Sequence, residues 1–381
     1  MKRIFTFFKK RRVQRWILAL ALIVIVGVVS GCNTLSFYAQ AAKGQYQIFA
    51  HQQRVSKLIA DPATPEKLKH QLELVQQLRV FAAKKLKLPV DDHYLKYVDL
   101  HRPYVVWNVQ AASRFSLQPK TWWYPLVGSL EYRGYFSKKG AMKYGAKLER
   151  DGYDVSIGGV EAYSTLGWFN DPLLNTFVFR AEPQLAEVIF HELGHQRLFA
   201  RGDTDFNEAF ATVVGQEGAR RWLRAHGKTN QLAAYEISLR RNTQFVHLIM
   251  STRARLEKIY GDTHDANGKV KAAKHPPASP AKLEEEKKNV FDDLRRQYGD
   301  LKNKWGGDAG YDYWFSKALN NAQLNTIANY YDYVPGFEQL LKLNGGDMEK
   351  FYKAAERLSK KSQEDRHQWL RDLGKMSDES S

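Results

Sequence analysis

His191-Glu192-Leu193-Gly194-His195 is the most informative stretch of this chain. In a helix, residues four positions apart lie on one face, so His191 and His195 can present two imidazoles to one metal ion. Glu192 follows the first histidine, and its carboxylate can reach a water molecule at the metal without binding the metal. This arrangement is the HExxH signature of zinc hydrolases, in which the glutamate is the general base.

The residues before this motif predict a buried helix. Pro183 follows Glu182 at a suitable first helical turn, where proline's missing N–H costs little. A divalent cation would compensate a carboxylate that is otherwise costly in such a helix. The alternative is that the spacing is accidental and that both histidines are ordinary core or surface residues. Apolar residues recur every three or four positions around most of the helix: Leu185, Ala186, Val188, Ile189, Phe190, Leu193, Leu198 and Phe199.

A second apolar helix is predicted after a turn-rich break at residues 201–205. Glu208 lies near its start, and only twelve residues separate His195 from Glu208. A catalytic zinc ion usually has three protein ligands and one open position, and His, His and Glu form one such set. If the second helix folds back across a tight loop, Glu208 joins His191 and His195 as the third ligand.

Asn207-Glu208 followed by Phe210-Ala211 resembles the second-helix motif of the gluzincin peptidases. In membrane alanyl aminopeptidases, an Asn-Glu-Gly-Phe-Ala string supplies the third zinc ligand, although after a longer connection than here. The segment 191–218 is similar to a family of bacterial lipoproteins described as predicted aminopeptidases. This resemblance implies a zincin-like metallopeptidase fold, a Zn²⁺ cofactor and a peptide or protein substrate. The likeness spans residues 35–345 through three further stretches: Tyr132-Arg133-Gly134-Tyr135-Phe136, Ala162-Tyr163-Ser164-Thr165-Leu166-Gly167 and Asn320-Asn321-Ala322.

The N-terminus is predicted to direct export and lipidation. Residues 1–15 contain seven Lys or Arg and no acidic residue, and the apolar run 16–29 follows. This is the pattern of a signal peptide. Val29-Ser30-Gly31-Cys32 matches the lipobox that lipoprotein signal peptidase cleaves before cysteine. Cys32 is the only cysteine in the chain, and lipidation accounts for it, whereas an orphan thiol in an exported protein would be unexplained. The alternative is an uncleaved anchor, for which this apolar run is short.

Loss of the signal peptide changes the charge of the protein. The formal net charge is +17, and removal of the seven N-terminal cations leaves +10. A basic exported domain favours anionic head groups or acidic envelope polymers. No zinc finger, RNA-binding motif or phosphate loop accompanies the charge, so nucleic acid is not an expected partner. Asn33 after the cysteine resembles lipoproteins sorted to the outer membrane, so we expect a lipid-anchored, periplasm-facing protein of the bacterial envelope, more at the outer than the inner membrane.

The fold class expected is α+β and mostly helical, with a small N-terminal sheet and a helical C-terminal region. Helices across residues 44–87 should break at 61–65, with Pro65-Glu66 starting the second. Without disulfides, hydrophobic burial must hold the mature chain together, and its length suffices for one large or two modest units. The predicted regions are a signal peptide at 1–31, a helical region at 32–102, a zincin-like catalytic core at 103–262, an exposed loop at 263–284 and a helical region completing the cleft at 285–381.

Residues 122–128 and 154–160 predict strands, because they are rich in aromatic and β-branched residues and bounded by turn residues. In zincins a sheet precedes the metal-binding helix, and its edge strand holds extended substrate by backbone pairing. Residues 158–163 are expected to form that strand. Glu161 loosely resembles the acidic residue that gluzincin aminopeptidases place near the free amine of the substrate. An ordinary exposed strand glutamate is the alternative.

Peptide hydrolysis also needs a hydrogen-bond donor for the oxyanion of the tetrahedral intermediate. Gluzincins generally use a Tyr or His beyond the third ligand, and residues 329–333 contain three tyrosines in an apolar-periodic segment. Tyr331 is the first choice for this catalytic role. Tyr330 is the second choice or a substrate-binding residue, and packing roles for both are the alternative. His275 is a weaker option because its neighbours predict an exposed loop.

These residues predict a zinc-dependent peptidase, with an aminopeptidase as the expected form. Glu192 would accept a proton from the attacking water and return it to the leaving amine. One alternative is an envelope endopeptidase of the same chemistry. The other is a non-catalytic envelope lipoprotein that keeps a zincin-like scaffold for binding or assembly, although such a scaffold would not need Glu192.

Overall fold

The computed structural model describes residues 37–124, 128–162, 170–265, 268–331 and 333–378, with the side chains of 328–331, 377 and 378 excepted. The predicted signal peptide and Cys32 lie outside these ranges, so their processing stays a prediction. Within the described ranges, no helix is both long enough and apolar enough to cross a membrane.

The described part of the chain is mostly helical and contains ten short strands, which confirms the α+β class. The strands are β1 (Gln53–Arg54), β2 (Lys96–Val98), β3 (Val106–Ser113), β4 (Trp122–Tyr124), β5 (Gly128–Leu130), β6 (Arg133–Tyr135), β7 (Tyr153–Val160), β8 (Leu173–Leu174), β9 (Thr263–His264) and β10 (Val270–Lys271). The helices are α1 (37–50), α2 (Val55–Ala60), α3 (Glu66–Phe81), α4 (Lys138–Arg150), α5 (Glu182–Arg197), α6 (Thr204–Ala225), α7 (Thr229–Tyr260), α8 (Pro280–Lys304), α9 (Asp312–Phe315), α10 (Asn321–Tyr331), α11 (Val334–Leu343), α12 (Met348–Ser359) and α13 (Gln363–Asp378).

The N-terminal helices break where the sequence predicts. Pro65 is the N-cap residue of α3 and has extended backbone angles, so the helix begins at Glu66. Proline cannot donate a backbone hydrogen bond to the preceding turn, which separates α2 from α3. Helix α3 continues into a short π-helical segment, Ala82–Leu86, which ends at Lys87 in the left-handed region (φ 57°).

Strand β3 is the centre of the main sheet. It pairs antiparallel with β6 on one side and with β7 on the other. The β3–β7 ladder runs from the Val106–Val160 pair to the Ser113–Tyr153 pair, so the strand predicted at 154–160 is confirmed. Among the described residues, β7 pairs with β3 alone and therefore forms an edge of this sheet. Strands β1, β2 and β8 form a second sheet, whereas β4–β5 and β9–β10 are two-stranded.

Helices α5 and α6 form a hairpin within the largest hydrophobic core. Helix α5 carries Pro183 in its first turn, as predicted. Two glycines mark the closest approach of the helices. A Cβ atom added to Gly194 would lie 3.3 Å from Cα of Ala211, and one added to Gly215 would lie 2.7 Å from the carbonyl oxygen of Glu187. The absence of side chains at these two positions therefore permits the close packing of α5 on α6.

Asn207 closes the tight loop between α5 and α6. Its Oδ1 accepts a hydrogen bond from the Ala200 N–H at 2.7 Å, and its Nδ2 donates to the Ala200 carbonyl at 2.8 Å. Asp203 caps the N-terminus of α6 by accepting from the Phe206 N–H. The Ala200 carbonyl also accepts from the Asp203 N–H at 3.2 Å, so both backbone groups of Ala200 are paired where the chain reverses direction inside the core.

The segment predicted as an exposed loop, 263–284, contains the β9–β10 hairpin and the first turn of α8. Helix α8 begins at Pro280 because Ser279 is its N-cap and accepts a hydrogen bond from the Lys282 N–H. A serine followed by proline at the first helical position is a strong local helix start. Helices α7 and α8 build a second core, and α13 packs against α11.

Candidate metal centre

The α5–α6 hairpin brings the three predicted metal ligands together. Nε2 of His191 lies 3.2 Å from Nε2 of His195 and 3.4 Å from Oε2 of Glu208. Nε2 of His195 lies 3.8 Å from Oε1 of Glu208. The ligand atoms all lie within 4.8 Å of one another. The predicted return of the second helix to the two histidines is therefore confirmed.

These separations fit a divalent metal ion. Two ligand atoms about 2.1 Å from a zinc ion at the tetrahedral angle lie ~3.4 Å apart, close to the distances found. Two imidazole nitrogens and one carboxylate oxygen are also a donor set that suits zinc. Two further polar atoms at the site, Nδ1 of His195 and Oε2 of Glu192, are buried without a hydrogen-bond partner in the described part of the chain. The triad can therefore hold a metal ion.

The protonation of the triad follows from burial and from the charge of Glu208. Burial lowers the pKa of His195 to about 4, although the Glu208 charge opposes the shift, so this imidazole is neutral at pH 7, as a metal ligand must be. Burial would also lower the pKa of His191, but the hydrogen bond and charge of Glu208 outweigh it and raise that pKa. Burial would raise the pKa of Glu208, but both histidines outweigh it and lower that pKa.

Glu192 lies beside the ligands but is not one of the three. Burial raises its pKa to about 7; the His191 charge opposes the shift, and the charges of Glu208 and Asp171 add to it. Its side chain lines a small cavity together with Tyr94, Asp171 and other residues. The predicted base is therefore a half-buried glutamate with one buried carboxylate oxygen, next to the metal-binding triad and lining a cavity.

The other predicted site residues lie in different surroundings. The Glu161 carboxylate forms an ion pair with Arg180, with Oε2 2.6 Å from Nη2 and 2.9 Å from Nε, so it is engaged on the protein itself. Strand β7 ends at Val160, and Ala162 lines the cavity beside Glu192. Residue 163 lies outside the described residues, so the substrate role of segment 158–163 stays a prediction. His275 is exposed.

The two tyrosines predicted for the oxyanion end helix α10, at Tyr330 and Tyr331. Their side chains lie outside the described part of the structure. Their roles in catalysis or substrate binding therefore stay predictions.

Tyr94 and Asp171 were missed by the sequence analysis. Only 3% of Tyr94 is exposed, and its φ of 61° lies in the left-handed region, which is strained for a residue other than glycine. Its N–H donates to the Asp171 carbonyl at 2.9 Å, and its carbonyl accepts from Nε2 of Gln76 at 3.1 Å. The Asp171 N–H donates to Nδ1 of His93 at 3.1 Å. The sequence signal is weak, because these residues share no motif spacing with residues 191–195.

The charge of Glu208 acts on a tyrosine for which the sequence predicted no role. Burial, with a contribution from the Glu208 charge, raises the pKa of Tyr132 to about 12. Tyr132 belongs to one of the stretches that carry the family resemblance.

The fold and the site define a mostly helical α+β protein with a metal-binding triad on a helical hairpin. A protein-family model described as "Putative aminopeptidase" matches residues 36–370. The chain belongs to this family, and membership supports a peptidase-like enzyme with peptide substrates. No curated protein and no solved structure matches the chain.

Proposed function

We propose that this protein is a zinc-dependent aminopeptidase with a zincin-like catalytic core. The convergence of His191, His195 and Glu208 supports the proposal most directly, because it pairs a His₂Glu donor set with the buried carboxylate of Glu192. The family supports peptide hydrolysis. The same geometry opposes a purely structural role, since a scaffold gains nothing from a carboxylate buried without a hydrogen bond to one of its oxygens.

Each residue of the site has its own role in the proposed reaction. His191, His195 and Glu208 would hold Zn²⁺, which when bound supplies Lewis acidity that polarises the scissile carbonyl and activates water. Glu192 accepts one proton from the attacking water as its oxygen bonds to the carbonyl carbon. When the C–N bond breaks, Glu192 returns that proton to the leaving nitrogen, so the products are a carboxylic acid and an amine. The edge strand β7 would hold the extended substrate by backbone hydrogen bonds.

The variant Glu192→Gln tests the proposal, because it keeps the shape of the side chain but removes the base. We expect it to bind zinc stoichiometrically by elemental analysis and to lose about 10²–10⁴-fold in kcat/KM on unblocked peptides. Glu149→Gln, on the exposed side of α4, is the matched control and should keep full activity. Full activity of Glu192→Gln would show that the base is misassigned, and unchanged zinc content of Glu208→Ala would remove Glu208 from the ligand set.

We also propose that Cys32 carries the lipid that holds the enzyme in the bacterial envelope, facing the periplasm and more at the outer than the inner membrane. The basic and apolar pattern of residues 1–29 and the lipobox support this location. Labelling with radioactive palmitate should mark the wild type and not Cys32→Ser. Equal labelling of both proteins, or recovery of the wild type in the soluble fraction, would contradict the anchor.

A further inference from the structure

Helix α1 is held on the protein by one of its faces. Oε1 of Gln40 accepts a hydrogen bond from the Phe136 N–H at 2.9 Å, and the guanidinium of Arg133 lies 4.0 Å from the centre of the Phe37 ring. A Cβ atom added to Gly44 would lie 2.0 Å from the Phe136 ring, so this glycine permits the close approach of the helix. Because Phe37, Gln40 and Gly44 are three or four positions apart, they share the inner face of α1.

The opposite face of α1 is exposed and mostly apolar. Tyr38 is 42% exposed and Tyr46 is 70% exposed. Lys43 is the only charged residue of the helix. Single exposed apolar residues are normal, whereas a continuous helical face without an acidic or amide side chain is a candidate interaction surface. We call this the outer face of α1, and it consists of six exposed residues: Tyr38, Ala39, Ala42, Lys43, Tyr46 and Ala50.

The charge around this face is positive. Residues 33–60 contain Lys43, Arg54 and Lys57 and no Asp or Glu, and all three cations are exposed. In a twofold dimer the same face would meet on both copies, so these cations would come together with no acidic residue of the segment to pair with them. An anionic surface, in contrast, is complementary to them.

The position of α1 in the chain favours a lipid leaflet as that surface. Only residues 33–36 separate Cys32 from the helix, so a lipid on Cys32 would bring α1 to the leaflet before any other described element. Tyrosine is suited to the boundary between lipid and water, because its ring is apolar and its hydroxyl is polar. A lysine beside it can keep its stem in the apolar layer and its ammonium group at an anionic lipid phosphate.

We propose that the outer face of α1 lies on the anionic membrane leaflet, with the rings of Tyr38 and Tyr46 at the level of the lipid headgroups and Lys43 beside a lipid phosphate. The inference rests on the proposed lipid anchor and adds an orientation to it. Ile48, on the inner face, lines the cavity beside Glu192. Because a helix with its side chains is ~10 Å across, this contact would hold that cavity ~10 Å from the headgroups.

A fluorescent label on the outer face tests the contact without the anchor. A protein that begins at residue 32 and carries Cys32→Ser retains every described residue and contains no cysteine. Ala42→Cys then accepts one fluorophore whose emission moves to shorter wavelength in an apolar environment. We expect that shift with vesicles of equal parts phosphatidylethanolamine and phosphatidylglycerol, and no shift from the same label at Asp300→Cys, an exposed position on α8.

Variants of the outer face separate the aromatic contribution from the charge. Combined Tyr38→Ser and Tyr46→Ser should weaken binding to these vesicles roughly tenfold. Lys43→Gln should weaken it roughly fivefold, and should have no effect on vesicles of phosphatidylcholine, which carry no net charge. Tyr313→Ser is the matched control, because Tyr313 is 72% exposed but belongs to α9, and it should bind like the parent protein.

The absence of a shift at residue 42 with anionic vesicles, or an equal shift at residue 300, would overturn the inference. A shift at residue 42 that appears without vesicles and grows with protein concentration would assign the face to a second copy and overturn it as well. Circular dichroism reports whether the double tyrosine variant folds, and Lys43→Gln provides the test if it does not. Because the protein tested carries no lipid, these outcomes are separable from palmitate labelling of Cys32.

Discussion

At the scale of single residues, Asn207 holds the loop between the two helices that carry the candidate metal ligands. It immediately precedes Glu208, and its two hydrogen bonds to Ala200 fix the loop that returns α6 to α5. An alanine at this position would leave the buried Ala200 N–H without a partner, and the Ala200 carbonyl would keep only the Asp203 N–H, at 3.2 Å. Each such group costs about 1–3 kcal/mol.

We therefore predict that Asn207→Ala lowers the free energy of unfolding by about 1–3 kcal/mol and also weakens zinc binding, because Glu208 loses its fixed position. Urea denaturation and zinc titration would measure the two effects. Asn344→Ala is the control, since Asn344 donates one hydrogen bond to Leu340 at the end of α11, far along the chain from the hairpin. Equal stability of the Asn207 and Asn344 variants would contradict the proposed role of the loop.

How far the sequence predicts the site depends on how local each contact is. His191 and His195 share a helical face by the geometry of one turn, so their pairing follows from spacing alone. Glu208 requires a tight loop, because only twelve residues separate it from His195, and the structure contains such a loop. Tyr94 and Asp171 belong to segments far from residues 191–195 in sequence, and long-range packing joins them. Spacing within the chain carries no information about such contacts.

At the scale of elements, the glycines of the α5–α6 interface set how closely the hairpin packs. Residue 215 faces the backbone of α5, where a Cβ would approach the Glu187 carbonyl oxygen to 2.7 Å and Cβ of His191 to 3.1 Å. Backbone atoms of a buried helix cannot move aside as the end of a flexible side chain can. A methyl group there would force α6 away from the ligand-bearing turn of α5.

Gly215→Ala should therefore destabilise the protein by about 1–3 kcal/mol, the usual cost of overpacking a core, despite alanine's higher helix propensity. Gly299→Ala is the matched control, because Gly299 lies inside α8 and its added Cβ would meet nothing within 4 Å. That variant should gain about 0.5–1 kcal/mol. Thermal denaturation monitored by circular dichroism would compare the two variants. A Gly215→Ala variant more stable than the wild type would show that a methyl group fits between α5 and α6.

The limits of elements were predictable where local signals are strong. Pro65 and Pro183 each mark a helix start in the sequence and in the structure. Ser279-Pro280 is an equally clear start for α8, yet the surrounding prolines and lysines suggested a longer loop. The short strands β1, β2 and β8 had no such signal, because two or three residues are too few to show alternation.

At the scale of the whole molecule, the last helix stabilises the start of the helix that carries Glu208. Asp203 is 1% exposed and caps α6. Arg366 donates from Nε to its Oδ2 at 2.6 Å, and Nε2 of His367 lies 2.8 Å from the same oxygen. Residues about 160 positions apart thus form one buried ionic cluster, which ties the C-terminal region to the candidate site.

This cluster should make the stability of the fold depend on pH. Burial would raise the pKa of Asp203, but His367 and Arg366 outweigh it and hold the pKa below its ordinary 3.8. The contribution of Asp203 to the free energy of unfolding is therefore fully present above pH 3.8. It is lost as the pH falls through the lower pKa that Asp203 has in the folded protein. We expect Asp203→Asn to be less stable than the wild type by about 3–5 kcal/mol at neutral pH, because it leaves Arg366 buried without its partner.

Urea unfolding between pH 7 and pH 3 would measure the difference in free energy of unfolding between the wild type and Asp203→Asn. This difference should become smaller only below pH 3.8. Asp300→Asn, an exposed position on α8, is the control and should track the wild type at every pH. A difference that stays constant down to pH 3 would show that the carboxylate charge of Asp203 does not stabilise the fold.

Helix α1, which supplies Ile48 and Phe49 to the cavity wall, has a consequence for where the enzyme can work. Only residues 33–36 separate its described start from Cys32, and an extended chain spans ~3.5 Å per residue, so the tether reaches ~17 Å at most. In the proposed lipidated form, such a short tether keeps the enzyme close to the surface of the membrane leaflet. Its encounters with membrane-attached substrates would then be governed by lateral diffusion, and peptides in the bulk periplasm would have to reach that surface to be cleaved.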